Sequence, residues 1–162
     1  MQQSKQRKQQ QLKQKPDSGG GFVVSAIDQA SLLGWYAQHQ RDLPWRHTQD
    51  SWPILLSEIL LQQTQVSRGT VFWQRLYKRY PTVQSMADST EEEVLFLWQG
   101  AGYYSRARRL FQLSKVVCAG VSAGGFGGRM PTTAKELQTL PGVGPYTAAA
   151  VASIAHGEAV AC

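Results

Sequence analysis

The chain has 162 residues and a net charge of +6, from 17 basic and 11 acidic side chains, with 42% hydrophobic residues. That length gives room for one domain of ordinary size, or one domain and part of another. The longest apolar run, Ala148 to Ala155, is far too short to span a bilayer, so no membrane partner is expected. Two cysteines, Cys118 and Cys162, form neither a disulfide framework nor a metal-ligand spacing, so no metal is expected and a reducing compartment fits.

Residues 1–24 read as a disordered, basic, Gln-rich tail with a run at Gly19-Gly20-Gly21, and nothing in it has the progression of a secretory signal. Lys5, Arg7, Lys8, Lys13 and Lys15 meet no acid before Asp17, which leaves 12 basic residues nearly balanced by 11 acidic ones. The tail fits a nuclear-targeting or DNA-attracting segment as well as it fits an inert extension. In the folded part, attraction for nucleic acid must rest on two local clusters. One is Arg68, Arg75, Lys78 and Arg79, and the other is Arg106, Arg108 and Arg109. Either could equally be a solvated helix face.

Ser25 and Asp28 mark the start of a helix in residues 25–41, with Ile27, Leu32, Leu33 and Tyr36 as its apolar face. After the Asp42-Leu-Pro-Trp-Arg46 turn, Ser51 precedes a helix running to about Val66, and another spans Gly69 to Tyr80 before Pro81. A short helix follows at Val83 to Ala87. Thr90 and Glu93 form a capping box for a helix through Trp98, which Gly100 ends. Ser105 starts a helix that closes at Gly120, and the glycine-rich stretch to Pro131 reads as a flexible loop. Thr133 to Thr139 is a short helical pattern, and an alanine-rich helix follows Gly144. No strand-period alternation persists, so the chain is predicted to be all-α.

The stretch Leu140-Pro-Gly-Val-Gly-Pro-Tyr-Thr-Ala148 joins the last two helices. Gly142 and Gly144 allow positive φ and present no Cβ to a nucleic-acid backbone. Pro145 suits the first helical turn, and the helix N-terminus aims unpaired N–H groups at an anion. Such a clamp grips phosphate without reading sequence. Glu58, inside Ile54-Leu-Leu-Ser-Glu-Ile-Leu-Leu61, is the candidate general acid, because burial raises a carboxyl pKa. The alternative is a carboxylate that reaches solvent along a polar stripe with Gln62 and Gln65. The amides of Gln62, Gln63 and Gln65 either cap the helix or face bases. Trp73 and Trp98 fit the core. Tyr103 and Tyr104 sit in a turn before Arg106, where an aromatic can wedge between bases. His39, His47 and His156 have no spacing that suggests a metal or a triad.

Together these stretches resemble the MutY family of adenine DNA glycosylases, within the helix-hairpin-helix glycosylase superfamily. The resemblance rests on Asp42 to Arg46, Ser57-Glu-Ile-Leu-Leu-Gln-Gln-Thr-Gln-Val66, Leu97-Trp-Gln-Gly-Ala-Gly-Tyr-Tyr-Ser-Arg106 and Leu140 to Ala148. It implies an all-α fold, with a six-helix glycosylase domain over residues 42–157 (hairpin 140–146). Residues 25–41 would be the N-terminal helix of an incomplete second domain, and residues 158–162 a truncated end. It implies removal of adenine mispaired with 8-oxoguanine or guanine in double-stranded DNA, by flipping the base out of the duplex. In that reading Glu58 is the general acid and Tyr146 the active-site tyrosine. Tyr146 replaces the lysine of bifunctional relatives, which implies base removal without a lysine Schiff base. Trp45, Arg46 and Leu61 line the adenine pocket, Gln62, Gln63 and Tyr103 enter or read the mispair, and Gly142, Val143 and Gly144 hold phosphate. Ala101 departs from the larger apolar residue usual in the family. The family's [4Fe-4S] segment is absent from this chain, and its Asp-Gly-Asn-Val segment would place the catalytic aspartate two residues beyond Cys162. An inactive monomer is therefore expected, in the nucleus, with the mitochondrion as the second compartment. A non-catalytic DNA-binding isoform and an unstable fragment are the alternatives.

Overall fold

The computed structural model describes residues 26–160. The expectations for the tail, for the cap at Ser25 and for Cys162 lie outside the described residues. The described residues divide into two units at Arg41 and Asp42.

In the first unit, α1 spans Ala26–His39, with Asp28 in its first turn and His39 in its last, both favourably placed against the helix dipole. Trp35 stacks on His39 with ring centroids 4.8 Å apart. Leu32, Leu33 and Tyr36, expected as a packing face, are exposed.

The second unit is helical, with no strand among the described residues. After a 3₁₀ turn at Pro44–Arg46, α2 runs Ser51–Leu61, α3 Val66–Arg79, α4 Val83–Ala87, α5 Glu91–Leu97 and α6 Tyr104–Cys118. A 3₁₀ turn at Val121–Ala123, α7 at Ala134–Leu137 and α8 at Pro145–His156 complete it. Threonine caps set three of these starts, as Thr82, Thr90 and Thr133 each accept from the backbone N–H three residues on.

α2 is the central element. Asp50 caps it by accepting from the Trp52 amide, and Pro53 falls in the first turn, where little hydrogen bonding is lost. Every residue from Ser51 to Leu60 is buried except Glu58. α2 packs against α3 on one side and α8 on the other, while α6 gathers α4 and α5. The buried indoles are satisfied: Trp52 Nε1 donates to the Tyr80 carbonyl (2.9 Å), Trp73 Nε1 to Pro53 (2.8 Å) and Trp98 Nε1 to Gly102 (2.9 Å).

Two boundaries differ from expectation. The helix predicted to reach Val66 stops at Leu61, because Gln62 leaves helical space (ψ 110°) and Gln63 turns left-handed (φ 58°). The next helix then begins at Val66, so Gly69 lies inside α3 rather than at its start. A glycine there costs about 1 kcal/mol of helix propensity. A Cβ there would stand 2.7 Å from Leu61 Cδ2, so the tip of that side chain would have to move aside. The second difference is the segment expected to be a flexible loop. It folds back on the end of α6, with the amides of Phe126 and Gly128 donating to the Val117 carbonyl and that of Gly127 to Ala119.

Candidate active site and nucleic-acid interface

The end of α2 meets two other segments, and Arg106 is what joins them. Its Nη1 donates to the carbonyls of Ile59 (2.9 Å), Leu60 (3.1 Å) and Gln62 (2.6 Å), which belong to the last turn of α2 and its exit. Its Nη2 donates to Ala101 and Gly102 (3.3 Å each) and to Thr64 Oγ1 (3.5 Å). The planar guanidinium thereby closes the helix end that produced the early stop at Leu61, and binds the loop before α6 to it. Trp98 and Tyr103 flank the group at 5.4 and 5.5 Å. Arg106 is 9% exposed, and burial pushes its pKa down while Tyr103 opposes the shift.

This corrects the charge reading of the sequence. Arg106, one of a basic cluster considered for DNA contact, is spent inside the protein. The others stay exposed at the surface, where their head groups lie against neighbouring backbone or carboxylates. Arg68 donates to the Gly100 carbonyl and Arg75 to Leu97 (3.5 Å), both lying over the Phe72 ring. Arg79 pairs with Glu93 and Arg108 with Glu91. Cations at helix C-termini satisfy carbonyls that would otherwise lack donors.

The segments tied by Arg106 border an open cleft of about 490 Å³ lined by Gln62, Gln63, Tyr103, Ser105 and Arg106. Gln63 (φ 58°) and Tyr103 (φ 48°) are the two non-glycine residues with positive φ among the described residues. Such backbone is strained for ordinary side chains, and it aims both outward from facing loops. Tyr103 is 63% exposed, the reverse of what a core tyrosine would show. Gln62 instead turns its amide toward Thr147 Oγ1 at 3.4 Å, linking this edge to the first turn of α8.

Glu58 lies one helical turn before Gln62 on the same face. It is the only ionisable residue of α2 and the only partly exposed one before Leu61. Its pKa is raised, and the cause is burial. Its carboxyl makes no hydrogen bond or ion pair with another described residue. Of the two readings left open by the sequence, the desolvated acid is thus the one the surroundings favour. Trp45 is buried against Trp73, at 5.6 Å between centroids, while Arg46 is exposed. Leu61 is half-buried against Gly69.

The hairpin follows α7. Gly142 takes φ 80°, whereas Gly144 takes φ −85° and ψ 173°, ordinary extended backbone at the N-cap of α8. Only Gly142, therefore, has the positive φ expected of both. Val143 is also corrected in part. Its side chain is buried and its N–H donates to the Leu140 carbonyl (3.2 Å), so that amide holds the hairpin together. The amides of Gly142, Gly144, Tyr146 and Thr147 have no backbone partner among the described residues. Pro145 occupies the first position of α8, and Tyr146 beside it is 65% exposed. A Cβ on Gly142 would meet Arg109 Cβ at 2.9 Å, so the Arg109 stem runs directly across the hairpin. Sequence spacing gave no sign of that contact.

No three His, Cys, Asp or Glu side chains converge among the described residues. Cys118 is half-buried and stands alone there. The four-thiolate donor set of an iron–sulfur cluster is not found among the described residues.

Residues 56–155 match the family model for the HhH-GPD superfamily of base excision DNA repair proteins. The human adenine DNA glycosylase is 45% identical over 80% of this chain and 24% of its own length. That of Mycolicibacterium smegmatis is 43% identical over 83% of this chain and 45% of its own. The chain therefore spans less than half the length of these relatives. Among solved structures, a thermostable thymine-DNA glycosylase superposes with a TM-score of 0.72 at 32% identity, covering 82% of this chain and 59% of that one. An endonuclease III trapped as a covalent DNA intermediate has a TM-score of 0.65 at 23% identity, over 79% and 57% of the two chains, a likeness of fold.

Proposed function

The chain belongs to the HhH-GPD superfamily of base excision DNA repair proteins, and from that premise we propose that it is the helical part of a monomeric adenine DNA glycosylase. The substrate is double-stranded DNA with adenine opposite 8-oxoguanine or guanine, and the reaction is hydrolysis of the N-glycosidic bond. The relatives' names support the base, and the observation that carries the chemistry is Glu58. A carboxyl whose pKa is raised by burial holds its proton to higher pH than an ordinary carboxylate, and giving it to adenine lets the base leave neutral. Adenine inside a duplex is out of reach, so the base must first be flipped out. Gln63 and Tyr103, both exposed and at positive φ, are the side chains that would enter the vacated stack, and their exposure supports that reading. The free amides at Gly142, Gly144 and the start of α8 serve the phosphate backbone. Tyr146 at that helix start offers no amine, which supports base removal without Schiff-base cleavage.

Base departure leaves positive charge on the sugar, and a carboxylate near it lowers the barrier. Losing such preorganised stabilisation typically costs about 3 kcal/mol or more. Burial is the whole cause of the Glu58 shift, with no second carboxylate contributing. We expect residues 1–162 tested alone to release no detectable adenine, and a longer polypeptide that carries the family's remaining segments to release it. In that longer protein, Glu58→Gln abolishes release and retains duplex binding. The rate also falls as pH rises through the Glu58 pKa, which lies above the ordinary carboxylate value, because only the protonated form donates. A pH-independent rate, or full activity of Glu58→Gln, would overturn the assignment. For the compartment, the five basic residues before Asp17 support the nucleus, and imaging a tagged protein with and without residues 1–16 tests that.

A further inference from the structure

We infer that Arg106 is the positioning residue that sets Gln63 and Tyr103 together, so that the two loops entering the duplex act as one wedge rather than as two independent contacts. The inference rests on the base-flipping reading above and deepens it. Three observations carry it. The guanidinium reaches carbonyls on both sides of the cleft, those of Ile59, Leu60 and Gln62 on one and of Ala101 and Gly102 on the other. The loops it ties hold the two left-handed non-glycine residues among the described residues, a backbone state that persists only where the surroundings over-determine it. Arg106 also lies 5.5 Å from the Tyr103 ring centroid, so it contacts one of the wedge side chains as well as the backbone beneath both.

Its chemistry suits the task. A lysine ammonium is a point charge that cannot span two loops, whereas the fork of a guanidinium delivers parallel donors in fixed directions. With Nη1 on the carbonyls at the end of α2 and Nη2 shared between Thr64 Oγ1 and the carbonyls of Ala101 and Gly102, a shift of either loop costs hydrogen bonds made through the same guanidinium. The Arg106 Nε, buried without a partner, is the residual cost of that arrangement.

Arg106→Lys separates this role from general packing. In the free protein, hydrogen exchange at residues 62–65 and 100–103 should rise together, by about tenfold or more, with the amides of α6 and of the 140–144 hairpin unchanged. Faster exchange in one segment only, or a uniform rise throughout, overturns the proposal. This arm involves no DNA, so it stands even if the glycosylase reading fails. In the full-length protein, Arg106→Lys should slow base unstacking, read by 2-aminopurine fluorescence in an adenine:8-oxoguanine duplex, by about tenfold. In a Gln63→Ala/Tyr103→Ala background the same change should have no further effect, while additive losses would show that Arg106 acts elsewhere. Should Arg106→Lys fail to fold, adding Gln63→Gly and Tyr103→Gly, which take positive φ without strain, restores folding if Arg106 serves those two residues. No restoration overturns the assignment.

Discussion

The hairpin and the paired loops both face the proposed DNA side, yet they hold their shapes by opposite means. The hairpin is self-contained. Gly142 supplies the left-handed step, the Val143 amide closes on Leu140 and Pro145 starts the next helix, all within six residues. The loops at 62–65 and 100–103 contain non-glycine residues at positive φ and depend on a side chain 47 positions from the first carbonyl it binds. One device is encoded where it stands, and the other is assembled at a distance. Local encoding leaves the hairpin tolerant of change elsewhere, while the loops fail as a pair.

The sharpest way to break that contrast is to remove the guanidinium. Arg106→Ala strips several buried carbonyls of their donor, and an unsatisfied buried group costs about 1–3 kcal/mol. We expect a loss of about 3 kcal/mol, measured by urea unfolding, and a change below 1 kcal/mol would show that water replaces the side chain freely. Gly142→Ala should cost less, about 1–3 kcal/mol, since it combines positive φ with a Cβ 2.9 Å from Arg109. Gly144→Asp supplies the counterpart. Gly144 has ordinary φ and open space around it, so stability should move by less than about 0.5 kcal/mol. Duplex affinity should nonetheless fall for every sequence tested, because a carboxylate then faces phosphate. Unchanged affinity at moderate salt would remove the clamp from the mechanism. The smallest effect belongs to Arg109→Gln. Its exposed head makes no ion pair with another described residue, and its stem crosses Gly142. The slope of log affinity against log salt should decrease by about one, with melting unchanged.

The local features around the candidate site were readable before any fold was known, and for a common reason. Thr90 caps its helix through a neighbour three residues on, Pro145 fixes φ by its ring, and Glu58 announces itself as the single charge in an apolar helix. The charges were not readable in the same way. Arg106, Arg68 and Arg75 look in sequence like the electrostatic footprint of a nucleic-acid surface. In the fold their head groups close helix ends and tie loops together.

What the sequence determined by itself is the set of local decisions: helix starts, the hairpin, the all-helical class and the apolar setting of one carboxyl. Each depends on residues within a turn or two of one another. Tertiary structure alone decided that α2 stops at Leu61, that Gly69 packs against Leu61 and that Val143 spends its amide inside the hairpin. It also decided that Arg106 rather than Arg109 is buried. A long cationic side chain reaches either water or a distant carbonyl with little difference in local propensity. Its destination is therefore set by which helix end the packing of α2, α5 and α6 brings within reach.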